Sequence, residues 1–316
     1  MRAILVSRHG GPEVLEPADL PDPVALPDRT LVEVTAAGVN YADTHRTDGS
    51  YRAAPALPFV PGTEVAGRTA DGRRVVALLF PGGGYAERAS VADADMVEVP
   101  DGVDDATALA LLVQGLTAWH VLRSSARLRD GETVVVGAAS GGVGSVAVQL
   151  ARHFGAGLVI AAASTAEKRE RALRLGAGVA VDSDPEGYAE RLLEVTGGRG
   201  ADVLLESTGG ATLTAALGGL APYGRLISYG NASRQGRPPA DFGVLAERNT
   251  SVAGFWLKPA LDMPGGFREP LRELLGLVAD GRLVLPPGPA YPLAEAGRAH
   301  ADLLARRTTG KVVLIP

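Results

Sequence analysis

The sequence predicts an α/β protein in two parts, a β-rich domain and a doubly wound parallel-sheet domain. Three observations carry this expectation. Short apolar runs separated by Gly and Pro fill the first third, strand-like and helix-like patterns alternate from residue 133, and a strand-like run stands at 311–315.

In the first third, residues 2–6, 31–39, 64–69, 73–79 and 86–91 are β-branched or apolar runs. Between them stand Gly10-Gly11-Pro12, Pro21-Asp22-Pro23 and Pro81-Gly82-Gly83-Gly84, which interrupt strands rather than continue them. The pattern suggests a partly barrel-like domain with long loops. Asp104 and Asp105 can cap a helix over 106–112, and a second apolar helix is expected at 115–127. Residues 133–138 read as a buried strand, after which Val143, Ala147, Leu150, Ala151 and Phe154 fall at helical spacing. Strands at 158–163, 179–181, 201–206, 226–229 and 251–255, with helices at 166–175 and 185–196, continue the alternation. Residues 265–281 and 293–307 read as helices, and the strand at 311–315 needs a sheet to join, which the first domain supplies. The expected division is therefore 1–121 with 258–316, and 122–257 between them.

Composition narrows the function. A net charge of -5 and 5% aromatic residues argue against a nucleic-acid partner, which needs a basic face and stacking platforms. The absence of cysteine removes disulfides, thiolate catalysis and any sulfur-ligated zinc. The five histidines (9, 45, 120, 153 and 300) are scattered without metal-ligand spacing, so no metal site is expected. The apolar run at 2–6 is too short for a signal peptide, and the other apolar stretches fall short of the roughly 20 residues that span a bilayer. A cytoplasmic protein without a membrane partner is the default expectation.

The strongest chemical signal is Val134-Val135-Val136-Gly137-Ala138-Ala139-Ser140-Gly141-Gly142-Val143-Gly144. A strand ends, a glycine-rich turn follows, and a helix begins at once. Such a turn lets the backbone approach a pyrophosphate, whose charge then faces the free amides of the new helix. Ala138, Ser140, Gly141, Gly142, Val143 and Gly144 are the expected contacts. The glycines alone would also suit a plain strand–helix turn; their place inside a βαβ unit favours a dinucleotide. The second strand ends Ala161-Ala162-Ala163-Ser164, without the acid that normally grips the adenosine ribose, and Lys168 and Arg169 follow within a helical turn. A 2′-phosphate would meet a hydroxyl and cations there, so NADPH is the expected cofactor.

Three ordered segments then point to a family. Gly38-Val39-Asn40-Tyr41-Ala42-Asp43-Thr44 is similar to a GVN-x-x-D-T motif, and Leu57-Pro58-Phe59-Val60-Pro61-Gly62-Thr63-Glu64-Val65-Ala66-Gly67 to an LP-x-x-PG-x-x-x-AG stretch. Ala138-x-x-Gly141-x-x-Gly144 matches the cofactor motif of the same group, and Leu314-Ile315-Pro316 fits its ending. Together they resemble the zinc-free quinone oxidoreductases of the medium-chain dehydrogenase/reductase superfamily. The resemblance implies a GroES-like β-rich catalytic domain, an inserted Rossmann doubly wound parallel-sheet domain, a cleft between them, and a homodimer formed through the Rossmann sheet edge. It also implies that Lys168 and Arg306 contact the adenosine phosphate, whereas a tyrosine common after the third Rossmann strand is replaced around Ser183. Where zinc-dependent relatives carry a cysteine and a histidine, this chain has Asn40 and Thr63.

Hydride transfer to a quinone or enone leaves negative charge on a carbonyl oxygen, and without a metal uncharged donors must stabilise it. Asn40 and Tyr51 match family positions beside the nicotinamide, His45 stands where a tyrosine is frequent, and Asp43 can orient them. Each has a plainer reading as well: turn satisfaction for Asn40, helix capping for Asp43, a surface loop for Tyr51, a polar rim for His45. Gln114-Gly115-Leu116-Thr117-Ala118 resembles a family segment near the nicotinamide, which implies that Thr117 touches the cofactor, although helix packing alone would explain it; Asn231, after a strand end, is expected on the nicotinamide side. Phe255-Trp256-Leu257 reads first as packing or interface and second as pocket wall. The leading expectation is NADPH-dependent quinone reduction. Reduction of the carbon–carbon double bond of a 2-enone or enoyl thioester is the alternative, and a non-catalytic NADPH sensor the second.

Overall fold

The computed structural model describes residues 1–316 except Ala25 and Ala54. The chain divides into two units, Met1–Val113 with Phe267–Pro316, and Gln114–Gly266. The sequence reading put the joints at 121/122 and 257/258. The first joint differs because the two expected helices are one helical stretch, Asp105–Ser125, which carries the chain from one unit into the next. Nothing at Val113–Gln114 breaks it, and π-helical turns at Leu111–Gly115 and Val121–Ser125 absorb the irregularity. With 21 residues and a mean hydropathy of 1.2, this stretch is long and apolar enough to cross a bilayer, contrary to the sequence expectation. Two thirds of its apolar window (67%) is buried inside the chain, as in the core helix of a globular fold.

The first unit is built on a seven-stranded sheet. Its order runs Ala290–Pro292, Val312–Ile315, Arg29–Val39, Glu64–Thr69, Arg74–Leu78 and Met96–Glu98, with Arg88–Ala92 also pairing to Arg29–Val39. Apart from the parallel pair at Ala290–Pro292, the ladders are antiparallel. Val312–Ile315 thus finds its sheet in the β-rich unit, with Val312 opposite Val39. Alternate side chains of these strands, among them Val32, Val34, Val65, Val75, Val91 and Leu314, form one apolar core. Each such side chain contributes roughly 1.5–3 kcal/mol by leaving water.

The second unit holds six strands, all parallel, in the order Val179–Asp182, Leu158–Ala163, Thr133–Val136, Ala201–Glu206, Leu220–Ser228, Ser251–Gly254. Numbered within the unit this is 3-2-1-4-5-6, the doubly wound order with its switch between the first and fourth strands. Thr133–Val136 lies at that switch, and its Val134, Val135 and Val136 are fully buried. The strand reading at 226–229 was too short: the strand begins at Leu220, where Pro222, Tyr223 and Gly224 hide the alternation. Short helices at Tyr41–Thr47, Gly210–Leu217, Phe242–Glu247 and Leu257–Leu261 were not anticipated, each being too brief to establish a period.

Candidate active site

In the second unit, the glycine turn sits where the central strand hands over to the helix Gly142–His153. Gly137 N–H donates to Leu205 O at 2.9 Å and Ala139 N–H to Ala162 O at 3.1 Å, which ties the turn to both neighbouring strands. Ala138 adopts φ 48°, a left-handed conformation that costs a side-chain-bearing residue energy and recurs at ligand sites. A Cβ on Gly144 would stand 2.3 Å from Ala138 O and 2.8 Å from Ala139 Cα, so the helix packs directly on the turn. A Cβ on Gly142 would meet the side chain of Gln114 at 2.4 Å. Gln114 is carried by the π turn Leu111–Gly115, and the buried Thr117 lies in the next turn of that helical stretch. Ala138, Ser140, Gly141, Gly142, Val143 and Gly144 are thereby gathered on one short segment, as a pyrophosphate cradle requires.

Beside this turn, strand Leu158–Ala163 ends at exposed Ser164. Thr165 caps the helix Ala166–Arg174 and accepts the Lys168 N–H, placing Lys168 in its first turn. Arg169 is otherwise engaged. Its guanidinium donates to Asp182 Oδ2 at 2.7 Å and Ala163 O at 3.0 Å. Of the two cations that the sequence offered to a 2′-phosphate here, Arg169 is ion-paired with the acid at the end of the third strand. Asn231 Oδ1 accepts Gly236 N–H at 3.0 Å and so braces the loop beyond strand Leu220–Ser228. Arg306 is exposed at φ 57° in the other unit, just beyond the helix Ala296–Leu304.

The first unit contains a buried polar cluster made by the ends of three adjacent strands. Antiparallel pairing of Val312 with Val39 leaves Lys311 across from Asn40, and Val65 opposite Ala37 brings Glu64 beside Gly38. Lys311 Nζ ion-pairs with Glu64 Oε1 and donates to Asn40 Oδ1 at 2.9 Å and Val39 O at 3.3 Å. Glu64 Oε2 accepts Val113 N–H at 3.1 Å. A Cβ at Gly38 would stand 2.1 Å from Glu64 Oε1, so glycine is what admits the carboxylate. Asn40 Nδ2 is buried without a hydrogen-bond partner among the described residues. Leaving such a donor unpaired costs about 1–3 kcal/mol, a cost that a ligand acceptor offsets.

Asp43 is fully buried and organises the same loop. It accepts Asn40 N–H at 2.9 Å on Oδ2 and Arg46 Nη1 at 3.1 Å on Oδ1, with Thr63 Oγ1 at 3.4 Å and the Tyr85 hydroxyl at 3.5 Å. Burial raises its carboxyl above the usual range, against the opposing pull of Arg46. With every approach occupied by protein, its place is that of a brace. Arg46 in turn lies over the Tyr51 ring, 4.3 Å from its centroid, and near Phe80 at 5.7 Å. His45 Nδ1 meets Ser50 Oγ at 2.7 Å, and its ring packs edge-on to Tyr41. An apolar recess of about 210 Å³, lined by Pro55, Phe59, Val60, Pro81, Gly82 and Gly83, opens in the same unit.

Behind Asp43 stand two groups that the sequence did not reveal. The Tyr85 hydroxyl lies 3.0 Å from His300 Nε2. Burial lowers His300 to about 4 and raises Tyr85 well above its ordinary value. Because the folded pKa of His300 is below its unfolded value, its contribution is present above about pH 6.5 and is lost as pH falls toward 4. The His300→Gln variant is expected to flatten stability in that window by on the order of 3 kcal/mol, measured as urea midpoints against pH. Asp43 acts oppositely, gaining as pH falls, and both proteins retain it. Equal pH slopes in the two proteins would refute the assignment to His300.

Lys311, Gln114 and Glu206 were also missed. Lys311 had one usable signal: it is one of three lysines among 31 basic residues, and it opens an apolar strand. Glu206 ends strand Ala201–Glu206 as a buried acid, accepting Thr208 N–H at 2.6 Å and Gly209 N–H at 3.0 Å, and burial raises its carboxyl.

Two family models match the chain, the "Alcohol dehydrogenase GroES-like domain" over residues 26–101 and the "Zinc-binding dehydrogenase" over 142–275. A quinone oxidoreductase of Pseudomonas aeruginosa is 36% identical, covering 100% of this chain and 99% of its own. A 2-haloacrylate reductase of Burkholderia sp is 32% identical over 99% of this chain and 98% of its own. The solved quinone oxidoreductase of Thermus thermophilus, studied also as its complex with NADPH, superposes with a TM-score of 0.89 at 40% identity, each chain covered in full. The zinc in the second model's name finds no donor set here. The chain has no cysteine, no three His, Asp or Glu gather to hold a metal among the described residues, and the Lys311 ammonium already lies between Asn40 Oδ1 and Glu64 Oε1. The likeness runs the length of the chain and through both halves of the fold: the chain belongs to the quinone oxidoreductase family of the medium-chain dehydrogenase/reductase superfamily.

Proposed function

We propose that the chain is an NADPH-dependent quinone oxidoreductase, reducing a quinone or similar conjugated carbonyl by hydride transfer without a metal. The full-length likeness to quinone oxidoreductases carries this reading, on a chain whose glycine turn keeps the close approach a pyrophosphate needs. NADPH, when bound, supplies the hydride. The turn from Ala138 through Ser140 to Gly144 holds the pyrophosphate with its amides, Ser164 and Lys168 receive the 2′-phosphate, and Thr117 and Asn231 serve the nicotinamide side. Asn40 Nδ2 donates to the acceptor's carbonyl oxygen as negative charge develops there, with Tyr51 flanking it and Asp43 fixing the loop. Water can protonate the resulting hydroquinone anion, so no dedicated protein acid is required.

A second reading, reduction of the activated double bond of a 2-enone or enoyl thioester, is favoured by the 2-haloacrylate reductase among the relatives. The same donor at Asn40 would serve it. We further infer a cytoplasmic homodimer that binds neither nucleic acid nor membrane. The net charge of -5 supports the first absence, and the exposed edge strand Ser251–Gly254 supports the dimer.

The test follows NADPH oxidation in the near ultraviolet against a quinone panel and an enone/enoyl-thioester panel, with NADH as control. Quinone turnover with weak NADH use is expected; preference for the enones moves the assignment to the second reading, and tight NADPH binding without turnover favours a sensor. In the same assay Lys168→Ala should raise KM for NADPH by about tenfold and leave that for NADH unchanged, as loss of one charge-assisted phosphate contact does. An equal effect on both cofactors would remove Lys168 from the phosphate.

A further inference from the structure

We propose that Lys311 is a positioning residue for the reaction: its ammonium holds Asn40 Oδ1, so that the amide of Asn40 offers its Nδ2 donor, and not its oxygen, to the reacting carbonyl. This rests on the assignment of Asn40 to the acceptor oxygen made above.

The donor count is closed. An ammonium has three N–H bonds and no acceptor capacity, and Lys311 has three acceptors: Glu64 Oε1, Asn40 Oδ1 and Val39 O. Whatever faces Lys311 on Asn40 must therefore be the oxygen, which selects between the two orientations of the amide, in a side chain that also joins the capping box of helix Tyr41–Thr47. The nitrogen is left buried and without a partner among the described residues. Its orientation matches what hydride delivery to a carbonyl needs, because the oxygen gaining charge requires a donor and would be repelled by Oδ1.

The ammonium is itself held from behind. Glu64 pairs with it, and the Glu64 carboxylate is fixed by Val113 N–H at 3.1 Å and by the space that Gly38 leaves. Strand pairing sets the whole chain of contacts: Val312 opposite Val39 and Val65 opposite Ala37 bring Lys311, Asn40 and Glu64 together from three strands. Arginine is the usual cation of this protein, with three lysines among 31 basic residues, yet this position carries the compact ammonium whose three donors radiate to three acceptors. Glu64 and Lys311 thus do more than neutralise each other: they choose which atom of Asn40 is presented.

Lys311→Met alone would leave Glu64 buried and unpaired, so the informative protein is the double variant Glu64→Gln/Lys311→Met, which removes both charges. With a quinone acceptor its kcat should fall about 10- to 100-fold while KM for NADPH stays within about twofold. Adding Asn40→Ala to it should cost little more than Asn40→Ala alone, since both changes act through one amide. A purely structural role predicts full kcat in the folded double variant, or losses that multiply with Asn40→Ala; either outcome overturns the proposal. A second readout needs no turnover. The Asn40 side-chain amide resonances in a ¹H–¹⁵N spectrum, identified by their loss in Asn40→Ala, should be sharp in the native chain and exchange-broadened in the double variant. Unchanged amide resonances would refute the positioning role even if no acceptor were reduced. Conversely, amide broadening together with an Asn40→Ala enzyme of full kcat would leave the geometry intact and refute the assignment of Asn40.

Discussion

Replacing Asn40 by alanine is expected to lower kcat for quinone reduction by about 100- to 1000-fold, with KM for NADPH little changed. The magnitude is that of removing one preorganised donor from a site where negative charge develops. The physical warrant is the buried, unpartnered Nδ2, a donor whose burial is unfavourable until an acceptor arrives. Alanine also removes an acceptor from Lys311, so a sharper variant is Asn40→Asp. Aspartate keeps an oxygen for the Lys311 ammonium but puts a second oxygen where Nδ2 stands. It should lose at least as much kcat as alanine, because that oxygen repels the developing charge. Steady-state kinetics on both variants decide the matter: an Asn40→Asp enzyme with native kcat would mean that the amide touches no reacting group.

Gly144→Val should all but abolish cofactor binding, raising the dissociation constant for NADPH by about 100-fold or more. A Cβ there would lie 2.3 Å from Ala138 O and 2.8 Å from Ala139 Cα, both backbone atoms of the turn, which cannot swing aside as a side-chain tip does. Overpacking of this kind costs about 1–3 kcal/mol even in an adaptable core, and here the strain falls directly on the amides proposed to face the pyrophosphate. Fluorescence titration with NADPH measures it, and Gly276→Ala supplies the control, since a Cβ at Gly276 meets nothing within 4 Å. Native affinity in Gly144→Val, in a protein of native thermal midpoint, would sink the assignment of the turn.

Much of this was legible in the sequence because it depends on local pattern. The run Thr133–Val136 followed by glycines carries its own strand, turn and helix, and the structure places that turn at the switch point of the sheet. The polar cluster was half legible. Asn40 and Asp43 belong to one short motif, whereas Lys311 lies 271 residues from Asn40 and meets it only through strand pairing. Tyr85 and His300, separated by 215 residues, were invisible for the same reason. Arg169 shows the converse. Its position near the end of the second strand suggests a phosphate ligand, whereas its ion-pair partner, Asp182, comes from another strand and is not legible locally. Helix Asp105–Ser125 was divided in two because π turns shift the phase of its apolar residues, and a fixed helical period cannot follow them.

The pairing of Val312–Ile315 with Arg29–Val39 also bears on how the protein is made. Residues 114–266 are contiguous, so the parallel-sheet unit has all its strands once the ribosome has passed Gly266. The β-rich unit does not. Until the segment beginning at Lys311 emerges, the 37–39 end of strand Arg29–Val39 lacks its partner on one edge and Asn40 lacks its cation. Completion of this sheet therefore waits on a contact between residues 271 apart in the chain, the kind of separation that slows folding. During that interval the parallel-sheet unit has all its strands while the other sheet is unfinished, and its bare strand end is an edge of the kind that invites pairing with other chains.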